Sequence, residues 1–231
     1  MIKEALKGFE ELQKPTIVKP TTVKPTTVRN IELIGGVKNS GTFEIPPDAT
    51  INQIIYSFGG GIHLSKKVKA VLFGGETGIC LSYVDFGLTL ENALKKVGFS
   101  GKLDKVAIVL EGVNIVELSR KSINTKIRGL CGKCIPCREG TKRVQEVLDK
   151  IIEGYGKEED IELLSELVDT IAYTSLCRLG KVSINTVESS LKYFREEYVS
   201  MIKGKESQFH TSRIKNMKEE KDCLLNQAQI A

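Results

Sequence analysis

Tryptophan is absent from these 231 residues, and aromatic side chains make up only 6% of them. A groove for single-stranded nucleic acid needs a row of ring platforms, and the chain offers no such row. Charge of one sign is not concentrated either. The net charge is +5 and the pI about 8.8, with Lys and Arg interleaved with acids rather than gathered into a stripe. No nucleic-acid partner is expected. No apolar run reaches the length of a membrane-crossing helix, so no direct membrane insertion is expected. The opening Met1-Ile-Lys-Glu-Ala-Leu-Lys lacks the apolar core and cleavage site of a secretory signal. These features predict a cytoplasmic setting, where thiols stay reduced and six cysteines point to metal rather than to disulfides.

What is present divides the chain into four segments. Residues 1–29 open with an expected amphipathic helix over 2–12, with Ile2, Leu6, Phe9 and Leu12 on one side, followed by a five-residue repeat with prolines at 15, 20 and 25. Proline at that period forbids a continuous helix and favours an extended spacer of about 3.1 Å per residue. A loose tail and a tethered docking helix both fit this segment.

Residues 30–112 read as mixed α and β. Strands are expected over 30–37, 41–45, 68–73, 79–83 and 106–110, with helices at 51–58, behind a Thr50/Gln53 capping box, and at 89–97. This α+β order predicts a sheet covered on one face. Residues 113–202 turn helical. Apolar stripes at Val144–Ile152, Ile161–Ile171 and Ile184–Tyr198 predict three packed helices, the second opened by Glu158-Glu159-Asp160. Residues 203–231 form a charged tail.

Chemistry concentrates in Cys131-Gly-Lys-Cys134-Ile-Pro-Cys137. Thiolates are soft anionic ligands, and a C-x-x-C-x-x-C turn aims three of them at one centre. Position 141 is Thr, so a fourth ligand must be remote, and Cys80, Cys177 and Cys223 are the candidates. Cys177 is favoured, because it lies where the second bundle helix is expected to end, at Gly180, and antiparallel packing returns it to the triplet. Cys80 and Cys223 are read as bystanders, and His63 and His210 as lone surface or loop residues. Structural zinc sites usually pair two knuckles, whereas three crowded thiols and one distant one suit a cubane cluster. Lys133, Arg138, Lys142, Arg143 and Arg178 flank the thiols, either to offset an anionic cluster or as a solvated basic face.

Cys131 to Thr141, the helix after it, Glu158-Glu-Asp160 and Ser175-Leu-Cys-Arg-Leu-Gly180 resemble the C-terminal iron–sulfur domain of a known protein family. Its members are the NADH-binding, flavin-containing subunits of complex I, NAD-linked formate dehydrogenases and electron-bifurcating hydrogenases. Val37 to Ile45, with Val71-Leu-Phe-Gly-Gly and Gly78-Ile-Cys, resembles the family's soluble-ligand-binding β-grasp (SLBB-type) domain. The resemblance implies a small β-grasp-like domain followed by an all-α bundle. It also implies one [4Fe–4S] cluster on Cys131, Cys134, Cys137 and Cys177.

The family's flavin and NADH domain has no counterpart in this sequence. Neither Gly59-Gly-Gly61 nor Gly74-Gly-Glu-Thr-Gly78 has the strand–loop–helix setting of a dinucleotide site, so no FMN or NAD is expected. The expected function is electron relay through one cluster, without catalytic residues, between cofactors on partner subunits of a redox complex. Those partners are expected to include a flavin- or further cluster-bearing chain. A noncatalytic adaptor, with a structural metal and a ligand- or partner-binding β-grasp domain, is the alternative.

Overall fold

A five-stranded mixed sheet stands at one end of the computed structural model, which describes residues 28–63 and 66–204. The expected helix at 2–12, the proline repeat, the charged tail, Cys223 and His210 lie outside the described residues. Strand β1 (Arg29–Gly35) pairs antiparallel with β2 (Gly41–Ile45). On its other side it runs parallel to β5 (Lys105–Leu110). β3 (Val68–Phe73) lies antiparallel to β5, and β4 (Ile79–Ser82) antiparallel to β3. The resulting order is β2-β1-β5-β3-β4.

Helix α1 (Ile51–Gln53) widens into a π-helical turn over Ile54–Phe58. The Thr50 hydroxyl accepts from the Gln53 N–H, and the Gln53 side chain accepts from the Thr50 N–H. Helix α2 (Leu90–Lys96) is capped by the Thr89 hydroxyl, which accepts the Asn92 N–H. Period-two alternation sends Ile31, Leu33, Val71, Phe73, Val106 and Ile108 to one sheet face, where α1 and α2 cover them.

The opposite face is covered as well, contrary to the one-sided sheet that the sequence suggests. Ala70, Leu72, Cys80, Ala107 and Val109 are buried there, with Ile115 and the partly buried Leu118 and Phe194 packed on them. β3, β4 and β5 are apolar on both sides, the pattern of strands with two covered faces.

Those covering residues come from the helical half. It comprises α3 (Ile115–Ile127), α4 (Thr141–Glu153), α5 (Glu158–Thr174), α6 (Arg178–Val182) and α7 (residues 185–204). The apolar stripes of α4, α5 and α7 interdigitate in one core that includes Val144, Leu148, Ile161, Leu164, Val187 and Tyr198. Helix α3 has no clean stripe, because two of its buried positions are Ser119 and Ser122. Their hydroxyls bond across to α7, Ser119 to Ser190 at 2.9 Å and Ser122 to Thr186 at 2.8 Å. The buried Tyr198 hydroxyl joins Ser190 at 2.6 Å, and burial pushes its pKa up to about 12. Thr186 also lies within hydrogen-bond reach of the Thr77 and Gly78 carbonyls, tying α7 to the β3–β4 turn.

Gly154, at φ 96°, reverses the chain between α4 and α5 in the left-handed region open to glycine. Lys150 and Asp160 pair across this reversal at 2.8 Å, and Asp160 also accepts the Lys157 N–H at 2.7 Å. Burial pushes the Asp160 carboxyl up, but the Lys150 bond and the Lys157 N–H outweigh it and hold the pKa below the ordinary value. A depressed carboxylate pKa stabilises the fold above the unfolded value of about 3.9 and stops doing so as pH falls through the lowered one. Asp160→Asn should therefore lower the urea midpoint at pH 7, and the gap from the parent should close toward pH 2. A gap that persists unchanged at pH 2 would remove this ion pair as the cause.

Candidate metal centre

The segment between α3 and α4 carries three of the thiols. Gly132 takes φ +67°, a left-handed turn inside the first C-x-x-C. A π-helical turn over Pro136–Gly140 then leads into α4. Two hydrogen bonds hold the turn: Arg138 N–H to the Cys134 carbonyl at 3.0 Å, and the Thr141 hydroxyl to the Cys137 carbonyl at 2.7 Å. Cys134 and Cys137 are buried, at 8% and 1% exposure, while Cys131 is exposed.

Cys177 arrives from the other side. Helix α5 ends at Thr174 with Ser175 as its C-cap, earlier than the expected stop at Gly180. Cys177 is the N-cap of α6, and its Sγ accepts the Gly180 N–H at 3.4 Å. Gly180 lies inside α6 and serves close packing. A Cβ placed on it would stand 3.0 Å from the Ser175 Cβ and Oγ and 3.2 Å from the Cys137 Cβ. This contact brings the Cys177 segment against the triplet.

Electrostatics marks the same neighbourhood. Hydrogen bonds from the Leu176 backbone, then from that of Cys137, draw the Cys134 pKa down. Burial first, and then the negative charges of Cys134, Cys177 and Cys131, push Cys137 up. All three other thiols thus act on Cys137. They are grouped without being closed: among the described residues, no three His, Cys, Asp or Glu side chains have the spacing of a metal site.

The donor set fits an iron–sulfur cluster. Four soft thiols supply a complete ligand set for a cubane. Beside them the Ser175 Oγ is buried and has no hydrogen-bond partner among the described residues, a donor that anionic sulfur would satisfy. Cys80 stands apart in β4, in the core between sheet and helices, and burial pushes its thiol up to about 12. His63 lines a cavity on the sheet side. Of the flanking basic residues, Arg138 and Lys142 pair with Glu139 and Arg143 with Glu146, which is the solvated-face arrangement. Arg178 instead donates to the Ser100 carbonyl.

Sequence reasoning missed the packing role of Gly180 and the orphan hydroxyl of Ser175. It also missed a set of exposed apolar side chains in the same segments: Leu176 at 85%, Tyr173 at 82%, Ile135 at 68% and Leu179 at 52%.

Residues 118–201 match the NADH-ubiquinone oxidoreductase-F iron-sulfur binding region. The matched stretch lies within the helical half. The NADP-reducing hydrogenase subunit HndC of Solidesulfovibrio fructosivorans is 31% identical over 182 residues, which are 77% of this chain and 36% of HndC. The NADH-quinone oxidoreductase F subunit of Aquifex aeolicus (strain VF5) is 32% identical over 164 residues, covering 71% and 37%. Its counterpart of the same name in Escherichia coli (strain K12) is 30% identical over 180 residues, covering 76% and 40%. The chain therefore spans roughly two fifths or less of each of these relatives. In fold, it is similar to a crystal structure of an NAD+-reducing [NiFe]-hydrogenase in the H2-reduced state. The TM-score is 0.63 at 20% identity, over 76% of this chain and 29% of that one. Among the described residues, no helix is long and apolar enough to cross a membrane.

Proposed function

We propose that this chain is an electron-transfer subunit holding one [4Fe–4S] cluster on Cys131, Cys134, Cys137 and Cys177. The observation that carries the reading is the packing of the Cys177 segment, through Gly180, against Cys137 of the C-x-x-C-x-x-C turn, within the stretch that matches the family model. Bound there, a cluster supplies one-electron redox chemistry. The chain's own residues set its surroundings. Cys134 and Cys137 place two ligands out of solvent, the Leu176 backbone favours the thiolate form of Cys134, and the Ser175 hydroxyl offers a further donor.

Residues 30–112 are read as a β-grasp unit of SLBB type, on the strand order and the parallel β1/β5 pair, and residues 113–202 as the cluster unit. Partner subunits are proposed as donor and acceptor, one of them bearing flavin or further clusters. The exposed Ile135, Tyr173, Leu176 and Leu179 support a docking surface beside the thiols. Neither glycine run is proposed as an FMN or NAD site: Gly75–Gly78 closes the β3–β4 turn, and Gly59 and Gly61 close the turn after α1.

One observation favours the adaptor reading. A cavity of about 600 Å³ beside the sheet, lined by Ile34, Leu72, Val109 and Leu118, is large enough for a small ligand. Anaerobic expression, with iron and sulfide analysis and EPR of the reduced protein, tests the main proposal. Stoichiometric zinc without iron would sink it, and a cluster that stays redox-silent during turnover of the assembled complex would favour the adaptor.

A further inference from the structure

A second cleft, of about 580 Å³, opens between the β3–β4 turn and α6 and is of ligand size. Its walls include Phe99, Lys102, Lys126, Arg178, Leu179 and Asn185. Among the described residues, three cations line it and no carboxylate does. Lys102 pairs with Asp104 at 3.0 Å, both exposed. Lys126 and Arg178 have no carboxylate partner among the described residues. Lys126 donates to the Val182 carbonyl at 2.8 Å, which leaves two N–H groups, and Arg178 donates to the Ser100 carbonyl. Lys69, a lysine whose side chain is also largely out of solvent, pairs with Glu197 instead.

A partly buried ammonium without a counter-anion is unfavourable, and burial draws the Lys126 pKa down to about 8. A bound anion would reverse that cost. The arginine suggests which anion, since its planar fork matches phosphate and carboxylate oxygens in a bidentate manner. Gly101, at φ +139°, leaves room for the guanidinium: a Cβ there would stand 3.0 Å from the Arg178 Nη2. Phe99 and Leu179 add apolar wall beside the cations.

We propose that this cleft binds a small organic phosphate, with its phosphate held by Lys126 and Arg178 and its apolar body against Phe99 and Leu179. The site draws residues from 99–102, 126 and 178–185, and none of the four thiols is in its lining.

Isothermal titration of the full chain with phenyl phosphate and with inorganic phosphate tests the proposal. Saturable one-to-one binding is expected for both, with phenyl phosphate the tighter. Lys126→Met should weaken both at least tenfold. Arg178→Gln, at an exposed position, should do the same and covers the case in which the buried Lys126 variant fails to fold. Arg143→Ala, which removes a cation paired with Glu146 on α4, should leave binding unchanged. Absence of saturable binding by the parent chain overturns the site, as does equal loss in the Arg143 variant. Inorganic phosphate binding as tightly as phenyl phosphate overturns the apolar half of the assignment.

Discussion

Cys177→Ser should abolish the iron binding proposed for this chain. A serine oxygen is a hard donor in place of a soft thiolate, and three thiols leave one corner of a cubane without a soft ligand. The expected result is near-complete loss of iron and acid-labile sulfide after anaerobic purification, with the reduced EPR signal gone. The same substitution at Cys131, Cys134 or Cys137 should have the same effect. Cys80→Ala should keep full iron, because Cys80 is buried in β4 within the core between sheet and helices. A Cys177 variant with normal iron and sulfide would show that another group supplies the fourth bond. Circular dichroism separates that question from misfolding.

Gly78→Ala should cost about 3 kcal/mol of folding free energy, the upper end of the usual cost of overpacking. A Cβ on Gly78 would stand 2.0 Å from the Phe73 carbonyl oxygen and 2.6 Å from its carbon. Both are backbone atoms of β3, so no side chain can swing aside. Relief requires opening the β3–β4 turn, and the carbonyls of that turn are the ones Thr186 reaches from α7. Damage in a hairpin would thus spread to the helical half. A fall in the urea midpoint at unchanged slope measures it, and a loss under about 1 kcal/mol would show that the turn gives more easily than its packing implies.

The sheet was legible in the sequence because its signals are local. The runs at 41–45 and 68–73 became β2 and β3, and the Thr50/Gln53 pair became a working capping box. Helix α3 was not legible as a stripe, since the residues that fill its core-facing positions include serines satisfied from 64 and 71 residues away. The second covered face of the sheet depends on the same distant helices. At the candidate centre, three thiols announce themselves by spacing. The approach of Cys177 rests on α4 and α5 doubling back at Gly154 and on Gly180 letting Ser175 and Cys137 close in, neither of which a local window contains. The phosphate cleft is more scattered still, with Phe99, Lys126 and Arg178 meeting only after the chain has folded.

The row of hydroxyls between α3 and α7 bears on how finely these two helices are aligned. Greasy surfaces can slide past each other at little cost, whereas Ser119, Ser122, Thr186, Ser190 and Tyr198 each need one particular neighbour. Moving one helix by a turn would strand several of them in a dry interior, at about 1–3 kcal/mol apiece. The row works as a ruler with a single graduation, since it admits one offset between α3 and α7. Thr186 carries the same graduation on to the Thr77 and Gly78 carbonyls, so the β3–β4 turn is held to that offset as well.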